Sequence, residues 1–341
     1  MKAVRLEDGE LQIQDVPTPE PGPEEALVRI SVAGVCHSDL HLARGDWGGM
    51  RTPMLGHEAI GVVEALGPGA ERFVKVGDRV ILGLGGAGGG YWCGACEYCL
   101  SGQPRHCAQG KGIIGTFAEA ISVWAPSLVT LPETLGDDEV PLACGGLTAY
   151  GAVKKLIKNG VLPGRPVAVI GAAGGLGHYA VQLASDFGYE VVGIDVGEER
   201  LQFVRSLGAA VALSADEALE VVQRDFGGVD AALVFSSRLA GFELGLKLLR
   251  RGGLFVAVGI PPTSDGNLSL NMFEFLLRDP TLMYSAVGTV QDMRELVALA
   301  AAGKVRTHVS RRGRLSELPE IFDELQAGKY LGRAVLTDLA S

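Results

Sequence analysis

The 341-residue sequence predicts an α/β protein of two domains, a doubly wound parallel sheet and a β-rich domain that the C-terminal tail rejoins. Three observations carry this expectation. Short strand-like runs punctuated by Gly and Pro fill the chain to about residue 145. From Val167 to Ile194 an apolar run, a glycine turn, a helical pattern and a second apolar run follow in that order. Around Leu282 to Gly288 the alternation stops, and two helical patterns and a closing strand remain. The expected domains are therefore residues 1–146 with 287–341, and residues 147–286.

Composition narrows the function. An apolar fraction of 47% and a charged fraction of 21% are those of an ordinary globular protein. Forty acidic against thirty basic side chains, a net charge of −10, argue against a nucleic-acid footprint. Met1 to Asp8 lacks the apolar segment of a signal peptide, and no apolar run approaches the roughly 20 residues of a membrane span. A cytoplasmic, reducing location is expected, in which six cysteines read as metal ligands rather than disulfides.

Residues 1 to about 30 read as short strands around the turn Pro17 to Pro23. The alternation Val28, Ile30, Val32 then runs into Val35-Cys36-His37-Ser38-Asp39-Leu40-His41, which holds a thiol, a hydroxyl, a carboxylate and two imidazoles. Gly56-His57-Glu58 offers a second ligand pair sixteen residues later. Either a zinc ion is held between these segments, or Cys36 is a buried thiol beside surface histidines. Ala59 to Leu66 and Val80-Ile81 continue the strand pattern.

Cys93-x-x-Cys96-x-x-Cys99-x7-Cys107 lies in a Gly-rich loop. Four thiolates at this spacing can wrap one tetrahedral zinc at about 2.3 Å each, which closes a loop with little apolar content of its own. Two disulfides or an iron–sulfur cluster are the alternatives. A fully ligated zinc has no open position, so this site reads as structural. Cys36 and Cys144 are left over, and a lone apolar-context cysteine such as Cys144 is packing unless it meets Cys36 and His57.

Val167 to Ile170 is a buried parallel strand by pattern, leading into Gly171-Ala172-Ala173-Gly174-Gly175-Leu176-Gly177 and a helix with Leu176, Ala180, Leu183, Ala184 and Phe187 on one face. A second apolar run ends at Asp195, about twenty residues beyond the glycines, the arrangement of a dinucleotide site. The glycines let the backbone approach a pyrophosphate and the helix N-terminus faces it with free N–H groups. Asp195 can accept from ribose hydroxyls and repels a 2′-phosphate, which favours NAD over NADP. Ala231 to Phe235 and Leu254 to Gly259 read as further strands, with helices Glu198–Leu207 and Phe242–Leu249 between. The tail reads as helices Met293–Ala302 and Leu318–Gln326 with a strand Ala334–Leu336, and His308 as an ordinary surface or strand histidine.

Over essentially its whole length the chain resembles the zinc-dependent medium-chain alcohol dehydrogenases, nearest the tetrameric yeast and bacterial NAD-linked type. The residues that carry the resemblance, in order, are Gly34 to His41, Gly56-His57-Glu58, the four-cysteine loop, Cys144 with Gly146-Leu147-Thr148, and Gly171 to Gly177. The resemblance implies a GroES-like catalytic domain, a Rossmann-type NAD domain, one catalytic and one structural zinc per chain, and a homotetramer acting on a small-molecule alcohol. It implies Cys36, His57 and Cys144 as catalytic zinc ligands, with Glu58 beside the metal and Asp39 orienting His57. Ser38 and His41 match a relay for the alcohol proton, which leaves an alkoxide on zinc to pass hydride to the nicotinamide. His37 matches a pyrophosphate contact, Thr148 a nicotinamide contact, Asp195 and Arg200 the adenosine-ribose pair, Arg333 a further phosphate contact, and Trp47 a substrate-pocket residue.

The chain departs from the family pattern at Leu84 to Gly90, a Gly-rich run where relatives place a bulky aromatic, and at Val290, often basic in relatives. An altered, wider substrate pocket is the expectation. A polyol dehydrogenase of the same superfamily commonly lacks a cysteine at the position of Cys144, which argues against that reading. A zinc-stabilised NAD binder without turnover would not require the set Cys36, Ser38, Asp39, His41, His57 and Cys144.

Overall fold

The computed structural model describes residues 1–83 and 89–341. They fall into two compact units, Met1–Leu147 with Val287–Ser341, and Thr148–Ala286. Along the first unit run β1 (Lys2–Glu7), β2 (Glu10–Asp15), β3 (Glu25–Val35), α1 (His37–Arg44), β4 (Ala59–Leu66), β5 (Arg79–Leu82), α2 (Glu97–Leu100), β6 (Ala120–Trp124) and β7 (Val129–Thr130). Helix α3 (Gly145–Lys158) carries the chain into the second unit. There follow β8 (Pro166–Ile170), α4 (Gly177–Asp186), β9 (Glu190–Asp195), α5 (Glu198–Ser206), β10 (Val211–Ser214), α6 (Ala215–Phe226) and β11 (Val229–Val234). Next are α7 (Leu239–Leu248), β12 (Leu249–Ala257), α8 (Met272–Arg278) and β13 (Thr281–Tyr284). The chain returns to the first unit with α9 (Val290–Ala301), β14 (Val309–Arg314), α10 (Leu318–Gln326) and β15 (Arg333–Asp338).

In the first unit β3 is the spine. It pairs antiparallel with β4, β6 and β15, and the sheet runs β14-β15-β3-β4-β5-β7. Being covered on several sides, β3 is buried along most of its length, and Val28, Ile30 and Val35 join Val63, Phe117, Ile321 and Leu336 in one apolar core. The tail therefore completes the sheet of the N-terminal segment. The end of β3 delivers Cys36 to the start of α1, and the start of β4 follows directly on His57 and Glu58.

The second unit is an all-parallel sheet in the order β10-β9-β8-β11-β12-β13. Its central strands are buried throughout, which is why they read as continuous apolar runs rather than alternating ones. Strand order reverses at β8, so the turn after β8 lies at the switch point where ligands bind such sheets. Three elements exceed the sequence expectation. Strand β10 is only four residues long, and α6 begins with a reciprocal cap in which Glu217 N–H donates to Ser214 Oγ and Ser214 N–H to Glu217 Oε1. Strand β13 extends the parallel sheet where the pattern had been expected to end.

Among the described residues no helix is long and apolar enough to cross a membrane. Phe117 is 1% exposed in the core of the first unit. Phe117→Ala is expected to cost about 3–5 kcal/mol of stability, read as a lower denaturant midpoint.

Candidate metal centres and nucleotide turn

Asp39 fixes the geometry around Cys36. Its Oδ2 accepts the Cys36 N–H at 3.2 Å, and its Oδ1 lies 2.9 Å from both the Gly56 nitrogen and His57 Nδ1. A carboxylate oxygen accepts, so Nδ1 carries the His57 proton and Nε2 keeps its lone pair for a metal. The ligand atoms of Cys36, His57, Glu58 and Cys144 lie within 4.8 Å of one another, and all four residues are buried. Cys144 reaches this cluster from the end of a short helical turn, Asp137–Ala143.

The electrostatics suit a cation. The Cys144 thiol donating to Cys36, helped by His57 and the Arg333 guanidinium, holds the Cys36 thiol well below its usual range despite burial. Burial pulls His57 toward the neutral form, but Asp39 and Cys144 together raise it above the usual histidine range. Burial pushes the Glu58 carboxyl up to about 7, against the opposing pull of Arg333. Arg333 Nη2 is 2.6 Å from each Glu58 oxygen and 3.1 Å from Val35 O. A Cβ on Gly34 would fall 2.0 Å from Glu58 Oε2, so the missing side chain makes the space in which the carboxylate lies. Two thiols and an imidazole, with a carboxylate held beside them by Arg333, are the donor set of a zinc site that keeps a fourth position for another ligand.

The second cluster is Cys93, Cys96, Cys99 and Cys107, again with ligand atoms within 4.8 Å. The Cys96 N–H donates to Cys93 Sγ at 3.3 Å and the Cys93 N–H to Cys107 Sγ at 3.4 Å. Backbone donation from Ala95 and Cys96 lowers Cys93 to about 6, whereas desolvation raises Cys99 to about 12. All six cysteines stand as free thiols, so the disulfide alternative has no counterpart in the structure. The set fits a closed tetrahedral zinc.

Near the first cluster, Ser38 Oγ lies 3.7 Å from Cys36 Sγ, and His37 is exposed. His41 is buried, with Nδ1 2.8 Å from Asp46 Oδ2 and its ring against Trp47. The Trp47 indole N–H is buried and makes no hydrogen bond among the described residues. Most of the glycine run expected to reshape the substrate pocket, residues 84–88, lies outside the described residues.

In the second unit the turn between β8 and α4 is closed tightly. Gly171 has φ +81°, and a Cβ on Gly177 would fall 2.0 Å from Gly171 O. Gly174, Gly175 and Leu176 complete the turn that brings the N-terminus of α4 to its open end. Asp195, at the end of β9, accepts the Ala173 N–H at 2.7 Å and its own neighbour Val196 N–H at 2.9 Å, with Arg200 Nη1 at 3.9 Å. A carboxylate has about four acceptor positions, so Asp195 retains capacity for ribose hydroxyls. Thr148 is buried on α3. A turn that admits only glycine at its crossing point, with an acid on the next strand, fits an adenine dinucleotide.

An alcohol dehydrogenase of Geobacillus stearothermophilus is 39% identical over 348 residues, spanning 98% of this chain and 99% of that protein. The chain belongs to the zinc-binding alcohol dehydrogenase family. Within it, residues 22–133 match the alcohol dehydrogenase GroES-like domain and residues 175–302 the zinc-binding dehydrogenase domain. The crystal structure of the alcohol dehydrogenase of the hyperthermophilic archaeon Aeropyrum pernix is similar at TM-score 0.88 and 35% identity, covering 98% of this chain and 99% of that one. A thermostable alcohol dehydrogenase of Pyrobaculum aerophilum with cobalt and zinc bound is similar at TM-score 0.85 and 28% identity, with the same coverage. The chain is thus an oxidoreductase of two-domain α/β architecture; zinc fits its ligand clusters and NAD its glycine turn.

Two features of the sites had no sequence signal strong enough to find them. The Glu58–Arg333 pair spans 275 positions, and the Asp46 carboxylate on His41 is one acid among forty. Gly177→Ala is expected to weaken NADH binding by roughly 5- to 150-fold, because forcing a methyl into this turn costs on the order of 1–3 kcal/mol. Fluorescence titration reads the loss, and zinc content should be unchanged.

Proposed function

We propose that this dehydrogenase reversibly oxidises primary or secondary alcohols to aldehydes or ketones, with NAD as hydride acceptor and two zinc ions per chain. The observation that carries the reading is the convergence of Cys36, His57 and Cys144, with Ser38 and His41 on helix α1, which starts directly after Cys36. Zinc at that cluster supplies Lewis acidity and nicotinamide supplies the hydride acceptor. The rest is done by this chain's own side chains. Asp39 holds His57 in the tautomer that presents Nε2. Arg333 holds the Glu58 carboxylate beside the ligand set. Ser38 takes the proton of the substrate hydroxyl and His41 passes it on toward solvent, which leaves the carbon free to give up hydride. Trp47 walls the substrate side. Asp195 with Arg200 selects the ribose diol of NAD, and Thr148, His37 and Arg333 are the further cofactor contacts. The four-cysteine cluster holds the second zinc and stiffens its loop.

A metal count with an alcohol panel followed by NADH absorbance tests the reading. About two zinc ions per chain are expected, with turnover on NAD and little on NADP. Cys36→Ala should abolish turnover with the fold largely kept, whereas Cys96→Ala should mainly lower thermal stability. One zinc and no turnover on any simple alcohol would overturn the proposal.

We further propose a homotetramer. Met272, Phe273, Leu276 and Leu277 on α8 are all half or more exposed, and β13 ends its sheet with Leu282 and Tyr284 exposed. Exposed apolar groups beside an open strand edge suit burial against another chain. Light scattering should give about four times 35.7 kDa. Phe273→Glu with Leu276→Glu should lower that mass.

A further inference from the structure

Helix α1 ends at Arg44, and Gly45, at φ +73°, caps it by donating its N–H to His41 O. The chain then doubles back along the last turn. The Asp46 N–H donates to the same His41 O at 3.0 Å, and Asp46 Oδ2 lies 2.8 Å from His41 Nδ1. The backbone and the carboxylate of one residue therefore grip the backbone and the ring of another. Trp47 lies against that ring at 5.0 Å between centroids, tilted by 35°. His37 is the other ring that faces it, at 6.0 Å. With side-chain exposures of 10% for His41 and 30% for Asp46, the contact is partly withdrawn from water, where a charge-assisted hydrogen bond is stronger.

We propose that Asp46 is the positioning residue of the proton-carrying histidine. The inference rests on the Ser38–His41 relay proposed above. A carboxylate oxygen accepts, so the Nδ1 proton is committed to Asp46 and the lone pair is fixed at Nε2. The relayed proton arrives at Nε2 and leaves from Nε2 to water, while the Nδ1 proton stays on the ring throughout. In the interval the ring is a cation, and the adjacent carboxylate offsets its charge. Trp47 limits rotation of the ring, so Nε2 keeps one direction.

Asp46→Asn separates this role from mere packing, because an amide of the same shape can donate to Nδ1 and so favour the tautomer with its proton on Nε2. Steady-state kcat/KM for an alcohol is compared for His41→Gln, Asp46→Asn, Asp46→Glu and the double variant His41→Gln with Asp46→Asn. His41→Gln is expected to lose about a hundredfold, the scale of proton-transfer catalysis. Asp46→Asn should lose about tenfold or more, as when a group that orients a functional imidazole is removed. Asp46→Glu should recover most of that loss, and Asp46→Asn should add nothing in the His41→Gln background. Zinc content and NADH affinity should stay unchanged in each variant.

An unimpaired Asp46→Asn beside an impaired His41→Gln overturns the positioning role and leaves the relay standing. An Asp46→Asn loss that persists in the His41→Gln background also overturns it, since Asp46 would then act without His41. A His41→Gln enzyme at the wild-type rate removes the relay itself, and the role of Asp46 with it.

Discussion

The site depends first on one buried carboxylate. Asp39 is fully buried and joins two chain segments, holding the amide of Cys36 with one oxygen and the amide of Gly56 and ring of His57 with the other. A buried charge without partners would be costly, and here each partner is also a piece of the metal site. The arrangement explains why Cys36 and His57, 21 positions apart in the chain, meet at one point. Burial alone would neutralise His57. The Asp39 charge is what keeps its ring oriented and electron-rich toward a cation.

The same logic recurs one step outward. Glu58 is buried beside two thiols and would be repelled by Cys36 as a thiolate, yet Arg333 lies on both its oxygens. Gly34 leaves the volume in which that carboxylate sits. At the end of α1 the motif appears again on a smaller scale, with Asp46 on His41. Carboxylates thus set the orientation of both His41 and His57, the histidines given chemical roles in and beside the metal cluster.

Legibility in the sequence followed the range of each interaction. The four-cysteine loop and the glycine turn are local patterns with fixed spacing, so residues and chemistry could be named from the chain alone. Helix α10 begins and ends where its pattern does, because its apolar face repeats regularly onto one core. Strand β10 and helix α6 escaped, although Ser214 and Glu217 carry the spacing of a capping box. Cys144 could be tied to Cys36 only through the family resemblance, since a cysteine in an apolar run looks the same whether it binds a metal or packs. Arg333 was read only as a phosphate contact, and its further pairing with Glu58 went unforeseen because it depends on how β15 registers with β3. No short-range pattern encodes that.

Strand β15 lies between β14 and β3, so the last strand made is an interior strand of the sheet that β3 begins. At synthesis rates of roughly 5–20 residues per second, the 275 positions between Glu58 and Arg333 correspond to roughly 15–55 s of elongation. Through that interval the whole second unit is produced while the first lacks both its interior strand and the counter-charge of its most deeply placed glutamate. The four-cysteine loop is finished long before, and can close on a metal while the ribosome is still translating. Chain topology thereby completes the four-cysteine set early and leaves the Glu58 carboxylate without its counter-charge until the last strand is made.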